Sequence, residues 1–270
     1  MKISILGCGW LGLPLAKSLI KAGHEIKGST TSKEKIELLK EAQIVPYQID
    51  LSEFKVIDDS FFNSDVLILS IPPKRKTKGD KFHINQVKRI LGYVEKSSIK
   101  RIIYTSSTSI YPNTNSEIDE TLTINKLTTG NTCLFEAENL ILGQQHAESV
   151  ILRLAGLYGP ERNIINRMSG KEGLTDGNVP VNMVHLDDVI ACMLRMIGDE
   201  SVTGIFNICA EQHPTKKTFY NCLALKTEYS APGYVTNEKE DSFKIISNQK
   251  IRTFLGRPFI YPDPLLFPVD

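Results

Sequence analysis

The sequence predicts an α/β protein with a Rossmann-like doubly wound parallel sheet and a small C-terminal lobe that faces the substrate. Three observations lead to this fold class. Short apolar runs alternate with helical patterns, the runs have the composition of strands covered on both faces, and a glycine-rich turn follows the first run. Alternation of this kind implies parallel strands joined by right-handed crossovers.

The first half of the chain supplies most of the predicted sheet. Its strand candidates, several of which are short apolar runs, lie at residues 2–6, 24–28, 44–49, 66–70, 101–106 and 150–154. The helix candidates lie between these strands, at residues 11–22, 33–41, 81–96 and 132–145. A basic run at residues 74–81 is interpreted either as a solvated loop or as a site that attracts an anionic substrate.

The first turn carries the strongest functional signal. Gly7, Gly9 and Gly12 form Gly-x-Gly-x-x-Gly between a strand and a helix, which is the context expected of a dinucleotide-binding site. Gly7 permits the tight turn, Gly9 lets the backbone approach a pyrophosphate, and Gly12 lets the helix pack closely on the strand. Trp10 and Leu11 lie inside this turn and are expected beside the pyrophosphate. The alternative is a glycine turn without a ligand.

Beyond residue 156 the regular alternation weakens. Residues 160–180 are predicted to be loop, and the proline-containing end of the chain an irregular tail. Shorter elements are predicted between them, with helices at 187–197, 215–225 and 248–255 and a strand at 205–209. We therefore predict a nucleotide-binding domain at residues 1–156 and a partly interleaved substrate-facing lobe at residues 157–270.

Composition argues against several classes of partner. The 270 residues are 41% hydrophobic and 23% charged, with a net charge of +1, which argues against a nucleic-acid partner. No apolar stretch approaches the ~20 residues of a membrane helix, and the N-terminus does not resemble a signal peptide. Five scattered cysteines show no metal-binding spacing, so we expect a cytoplasmic protein with reduced thiols, no metal site and no membrane partner.

The end of the second strand bears on the choice of cofactor. NAD-selective sites carry an acidic residue about 20 residues after the glycine turn, where it binds the ribose 2′-hydroxyl. Residues 27–33 contain no acidic side chain. Hydrogen-bond donors that could surround a 2′-phosphate are present instead, namely Thr30, Thr31, Ser32 and Lys33. The prediction is therefore NADP, with NAD as the alternative, and Ser32 could equally cap the next helix.

Six phrases in order resemble the extended short-chain dehydrogenase/reductase superfamily, and more narrowly its NAD-dependent epimerase/dehydratase branch and atypical members of it. They are the glycine turn and residues 48–51, 104–112, 152–160, 182–188 and 206–207. The resemblance implies a catalytic serine at Ser107, whose hydroxyl would hydrogen-bond a substrate oxygen. It also implies cofactor contacts outside the glycine turn, at Asp50, Leu51, Ser70, Ile71, Pro72, Thr105, Ser106, Ala155 and Gly156.

One departure from the family pattern concerns its acid/base pair, Tyr-x-x-x-Lys. Aligned on Glu138, the tyrosine position falls at Gly130 and the lysine position at Leu134, so both catalytic residues are absent. Tyr111 and Tyr158 are candidate replacements, although a wall residue and a packing residue are the alternatives for them. Ser107 is interpreted either as catalytic or as the cap of a turn.

These features give two hypotheses about function. The first is an atypical NAD(P)-dependent oxidoreductase or epimerase/dehydratase-like enzyme, acting on a polar small molecule that is sugar-like or nucleotide-linked. Under this first hypothesis, Ser107 and Tyr111 are the catalytic candidates. The second is a non-catalytic NADP-binding regulator or scaffold that keeps the fold without the acid/base pair. The resemblance also makes a homodimer a candidate assembly.

Overall fold

The computed structural model describes residues 1–52, 55–73, 75–162, 164–236 and 242–266. Strands and helices alternate along the first half of this chain, as the apolar patterns predict. The strands of the main sheet are β1 (Lys2–Leu6), β2 (Glu25–Thr30), β3 (Val45–Gln48), β4 (Val66–Leu69), β5 (Arg101–Ser107), β7 (Glu148–Leu154) and β10 (Gly204–Ile208), and short strands outside it are β6 (Glu117–Ile118), β8 (Gly156–Tyr158), β9 (Met183–His185) and β11 (Ile245–Ile246).

Eight α-helices are found among the described residues. They are α1 (Gly12–Lys21), α2 (Lys35–Glu41), α3 (Arg75–Lys78), α4 (Asp80–Val94), α5 (Thr132–Gly143), α6 (Leu186–Ile197), α7 (Lys216–Leu225) and α8 (Gln249–Leu255). The short helix α3 occupies part of the basic run interpreted as a loop, and Lys74 of that run lies outside the described residues.

The main sheet has seven parallel strands in the order β10-β7-β5-β4-β1-β2-β3. In it β1 lies between β2 and β4, with Ile3 opposite both Ile26 and Val66. The strand order reverses at β1, and in such sheets a ligand binds outside the carboxyl ends of the strands at this point. The glycine turn leaves β1 at that edge, so the fold places it where a dinucleotide is expected.

The chain divides into two compact units. Unit 1 contains residues 1–110, 125–152 and 193–205, and unit 2 contains residues 111–124, 153–192 and 206–270. The boundary expected after residue 156 stays a prediction.

Each unit has its own apolar core. In unit 1 the core is built on the buried strands β1, β4 and β5, whose side chains Leu67, Leu69 and Ile102 are fully buried. In unit 2 a smaller cluster gathers around Tyr158, Ile165 and Phe219. Strand β4 reads as a continuous apolar run because both faces of the sheet are covered there.

Helix starts differ from the predicted positions by a few residues. Ser32 is not the cap of α2, because that helix starts later, at Lys35, with Glu34 at the capping position. Asn131 does cap α5, where its side chain accepts a hydrogen bond from the Leu134 N–H at 3.2 Å. Such differences matter near the site because they change which side chains face it.

Candidate functional site

The glycine turn is held in a conformation that only glycine adopts easily. Gly7 has φ of +109°, and a Cβ added there would collide with the Ser70 carbonyl oxygen. At Gly12 a Cβ would collide with the Gly7 carbonyl oxygen. At Gly9, by contrast, a Cβ would meet no atom within 4 Å. Two of the glycines are therefore required by packing, whereas Gly9 borders open space that a ligand could occupy.

Ser29 fixes this turn from the neighbouring strand. Its Oγ accepts a hydrogen bond from the Gly7 N–H at 2.9 Å, and its carbonyl oxygen accepts one from the Cys8 N–H at 2.9 Å. The Gly9 N–H donates to the Gly7 carbonyl oxygen at 2.9 Å. These three amides serve the turn itself, so any anion must be bound by amides further along the chain.

The start of α1 offers such amides. No side chain caps this helix at Leu11. The Leu13 N–H donates to the Gly9 carbonyl oxygen at 3.0 Å and Pro14 has no N–H, so the amides that can face an anion are those of Leu11 and Gly12. The positive end of the helix dipole therefore points out of the turn, which is the usual arrangement of a phosphate site.

A cleft of about 250 Å³ opens beside the turn in unit 1. It contains nine of the residues predicted to bind the cofactor, namely Gly7, Gly9, Thr30, Thr31, Asp50, Leu51, Ser70, Ile71 and Pro72. Its other lining residues include Ser29, Lys35 and Gln86, which the sequence did not single out. The ends of β1, β2 and β4 and the segment after β3 thus meet in one place, as the sheet topology requires.

The end of β2 differs in detail from the prediction. Lys33 lies in an adjoining depression with Asp50 and Asp58, whereas Lys35 lines the cleft itself. The Ser32 hydroxyl donates to the Glu34 carboxylate, and this hydrogen bond lowers the pKa of Glu34. A carboxylate is thus present just beyond the segment that the sequence showed to be free of acidic residues. It is bonded to Ser32 and does not line the cleft.

The residues predicted at the end of β5 do not line this cleft, and their hydroxyl groups bond to other parts of the protein. The Thr105 hydroxyl donates to the Leu69 carbonyl oxygen at 3.1 Å, and the Ser106 hydroxyl donates to buried Glu138 at 2.5 Å. Half-buried Ser107 accepts a hydrogen bond from the Ser109 N–H at 3.1 Å. This is the turn-capping arrangement, and it leaves the Ser107 hydroxyl hydrogen available for a second partner.

Tyr111 lies in unit 2 and is fully buried. Its hydroxyl donates to Asn207 Oδ1 at 2.9 Å, and the Arg153 guanidinium lies 4.7 Å from its ring centroid. Burial raises the pKa of Tyr111, so the phenol is neutral. The hydroxyl hydrogen is already used by Asn207, an arrangement that fits a packing role better than proton transfer.

Tyr158, the other tyrosine candidate, is also fully buried in unit 2 and packs edge-on against His185 at 5.1 Å between ring centroids. Burial raises its pKa as well. In the same unit, Ala155 and Gly156 use their N–H groups to bond the carbonyl oxygens of Ile208 and Asn182. Within the described part of the chain no cluster of histidine, cysteine and acidic residues could hold a metal ion.

The fold and the glycine turn together define a nucleotide-binding protein of the Rossmann type. The model of the NAD dependent epimerase/dehydratase family matches residues 3–209, and the chain belongs to this family. The resemblance inferred from the motifs is confirmed.

Individual proteins agree with this assignment. Protein YeeZ of Escherichia coli (strain K12) is 34% identical over 273 residues, which cover 100% of this chain and 99% of that protein. The structure of UDP-glucuronic acid 4-epimerase from Bacillus cereus, in complex with UDP-glucuronic acid and NAD, matches 98% of this chain and 96% of its own, with a TM-score of 0.80 and 19% identity. A conserved protein from Silicibacter pomeroyi DSS matches 98% of this chain and 95% of its own, with a TM-score of 0.74 and 18% identity. These similarities confirm the predicted Rossmann-like fold.

Among the described residues, no helix has both the length and the apolar character needed to cross a membrane.

Proposed function

We propose that the protein is an NAD(P)-dependent oxidoreductase or epimerase-like enzyme that acts on a polar small molecule, sugar-like or nucleotide-linked. One observation carries the proposal: a glycine turn, an uncapped helix start and the ends of three parallel strands border one cleft in unit 1. Two similar structures were solved with UDP-sugars and NAD, which supports a nucleotide-linked sugar as the first substrate to test.

The residues present fit a dinucleotide. The open space beside Gly9 and the first amides of α1 suit its phosphates, because both can face a negative charge without a side chain between. Thr30, Thr31 and Lys35 suit the ribose that follows. When bound, the nicotinamide ring supplies or accepts the hydride.

We propose NADP as the preferred cofactor. The support comes from Lys35, which lines the cleft and offers a positive charge to a 2′-phosphate, and from Glu34, whose carboxylate is bonded to Ser32. The first experiment is a fluorescence titration of the purified protein, checked to be free of bound nucleotide, with NADPH and with NADH.

Two lysine variants make this titration decisive. Lys35→Met should weaken NADPH binding by about tenfold and leave NADH binding unchanged, since only the phosphate contact is lost. Lys33→Met is the matched control and should have the smaller effect, because Lys33 lies in the adjoining depression. Equal affinity for both cofactors in the unchanged protein would remove the preference for NADP, tighter binding of NADH would reverse it, and no binding of either would end the proposal.

In the proposed reaction Ser107 donates its hydroxyl hydrogen to the reacting oxygen, while its own oxygen stays bonded to the Ser109 N–H. Ser107→Ala should therefore lower turnover of UDP-glucuronic acid or UDP-glucose by about a hundredfold and leave the affinity for the cofactor unchanged. Ser109→Ala is the control, because it keeps the backbone N–H that Ser107 accepts.

A second candidate function is a non-catalytic NADP-binding regulator. It is favoured by the Tyr111 hydroxyl, which is bonded to Asn207 in a buried position. This candidate predicts tight NADPH binding with no turnover of either sugar nucleotide, and no effect of Ser107→Ala on any binding measurement.

We also propose a homodimer and a cytoplasmic location. The five free cysteines support a reducing compartment. Light scattering at micromolar concentration tests the assembly directly.

A further inference from the structure

A second cleft lies at the opposite edge of the main sheet in unit 1. Its volume is about 600 Å³, and two of its lining residues, Asn63 and Ser98, come directly before β4 and β5. It is therefore at the amino ends of these strands, whereas the cofactor cleft is at the carboxyl ends. The two clefts have no described lining residue in common, and the second is large enough to hold a small molecule.

Gly92 keeps this second cleft open. It lies in the last turn of α4 and lines the cleft, and its φ is not positive, so it does not end the helix as a left-handed glycine would. A Cβ added to Gly92 would meet no atom within 4 Å, so no contact in the described part of the protein requires glycine there. Alanine would fit and would favour the helix. The missing side chain therefore points to a ligand that occupies this space.

The wall beside Gly92 is aromatic and rigid. The rings of Tyr93 and Phe62 are stacked, with 4.8 Å between their centroids and 11° between their planes. The Tyr93 hydroxyl accepts a hydrogen bond from the Ile57 N–H at 3.0 Å, which fixes the far end of this ring. Bare backbone next to a fixed aromatic side chain suits a flat ring, because such a ring can approach closely without displacing any side chain.

The rim of the second cleft supplies hydrogen-bond donors and positive charge. The Lys96 side chain is exposed and forms no hydrogen bond or ion pair with any described residue. The Ser98 hydroxyl donates to Asn63 Oδ1 at 3.5 Å, which leaves the Asn63 amide hydrogens for a ligand. The Arg89 guanidinium, which donates to a backbone carbonyl oxygen, adds a second positive charge, against the single carboxylate of Asp59 among the described lining residues.

The end of α4 does not reverse this charge. The carbonyl oxygens of Leu91, Tyr93 and Val94 already accept hydrogen bonds from the three amides that follow the helix, at 2.9, 3.2 and 3.0 Å. Donors and net positive charge favour an anion. We propose that this cleft is a second ligand site, which binds a phosphate monoester carrying a flat ring, with the phosphate at Lys96 and Asn63 and the ring over Gly92. The proposal is independent of the cofactor site.

The test is isothermal titration calorimetry of the full chain with phenyl phosphate, and with phenol and inorganic phosphate as its two halves. The unchanged protein should bind phenyl phosphate about tenfold more tightly than either half, because only the whole molecule reaches both parts of the cleft. Lys96→Met should weaken this binding about tenfold, and Gly92→Leu should weaken it at least as much by filling the space. The matched controls are Lys88→Met, an exposed lysine of α4 outside the cleft, and Gly143→Leu, where an added Cβ also meets no atom within 4 Å.

Each outcome decides the proposal. Thermal melting verifies that the variants are folded, and Gly92→Leu should melt no lower than the unchanged protein, since leucine favours a helix. Undiminished binding of phenyl phosphate by folded Gly92→Leu overturns the proposal, and so does an equal loss in Gly143→Leu. No binding by the unchanged protein at about 10 mM phenyl phosphate overturns it as well. If Gly92→Leu fails to fold, undiminished binding by Lys96→Met is the overturning result.

Discussion

The first two glycines of the turn, Gly7 and Gly9, should respond in opposite ways to the same added methyl group. In Gly7→Ala the new Cβ collides with the Ser70 carbonyl oxygen, and an L-residue must adopt φ of +109°. The conformational cost is about 1–2 kcal/mol, and the displacement needed to relieve the collision adds about 1–3 kcal/mol. The sum of about 2–5 kcal/mol is a large part of the stability of an ordinary domain, about 5–15 kcal/mol.

Gly9→Ala should leave the fold unchanged, because its Cβ meets no atom within 4 Å. A change in unfolding free energy within about 0.5 kcal/mol is expected. The same methyl group, however, projects into the space proposed for the pyrophosphate. Cofactor affinity should therefore fall by about tenfold or more, which corresponds to about 1.4 kcal/mol.

Two measurements on each variant separate the effect on stability from the effect on cofactor binding. Urea denaturation gives the free energy of unfolding, and fluorescence titration with NADPH gives the affinity. The reasoning is refuted if Gly9→Ala binds NADPH as tightly as the unchanged protein, since the open space would then not be the nucleotide site. It is also refuted if Gly7→Ala is as stable as Gly9→Ala, since the turn would then not need glycine.

Two further predictions concern stability. Burial raises the pKa of Asp188 to about 6, so the folded protein binds a proton there more tightly than the unfolded chain, and stability should fall by up to about 3 kcal/mol as pH rises from about 4 to 6. Asp188→Asn should remove that slope in urea titrations; an equally steep slope in the variant would assign it to other groups. Arg101 is buried and donates to the carbonyl oxygens of Met196, Asp199 and Val202. Arg101→Met should cost about 3 kcal/mol in the same assay, and a loss below about 1 kcal/mol would show that water replaces the guanidinium.

The glycine turn could be predicted from sequence because its motif is local. A strand, three glycines and a helix follow one another within residues 2–21, although the atom that makes glycine necessary at position 7 is the Ser70 carbonyl oxygen, after β4. The long apolar strands were predictable for a similar reason, since burial on both faces leaves a continuous apolar run. Strands of two or three residues, such as β6 and β8, are too short to show any periodicity.

The lysine in the cleft could not be predicted, because it depends on where α2 begins. A helix starting at residue 33 would have placed Lys33 in its first turn beside the ligand. Glu34 holds the capping position instead, and Lys35, the first residue of the helix, lines the cleft. A shift of two residues rotates a helix by more than half a turn, and no local pattern in residues 27–35 determines it.

The site also depends on side chains distant in sequence. Ser29 holds the Gly7 amide across 22 residues, and Gln86 reaches the cleft from a helix that follows β4. In sequence both are ordinary polar residues, and only the stacking of parallel strands brings them to the turn. A glycine motif therefore identifies the phosphate end of such a site, whereas the groups that choose among nucleotides come from later segments of the chain. We therefore propose Lys35, which lines the cleft, as the position at which the choice between NADPH and NADH is tested, because the glycine turn faces the phosphates that both dinucleotides share.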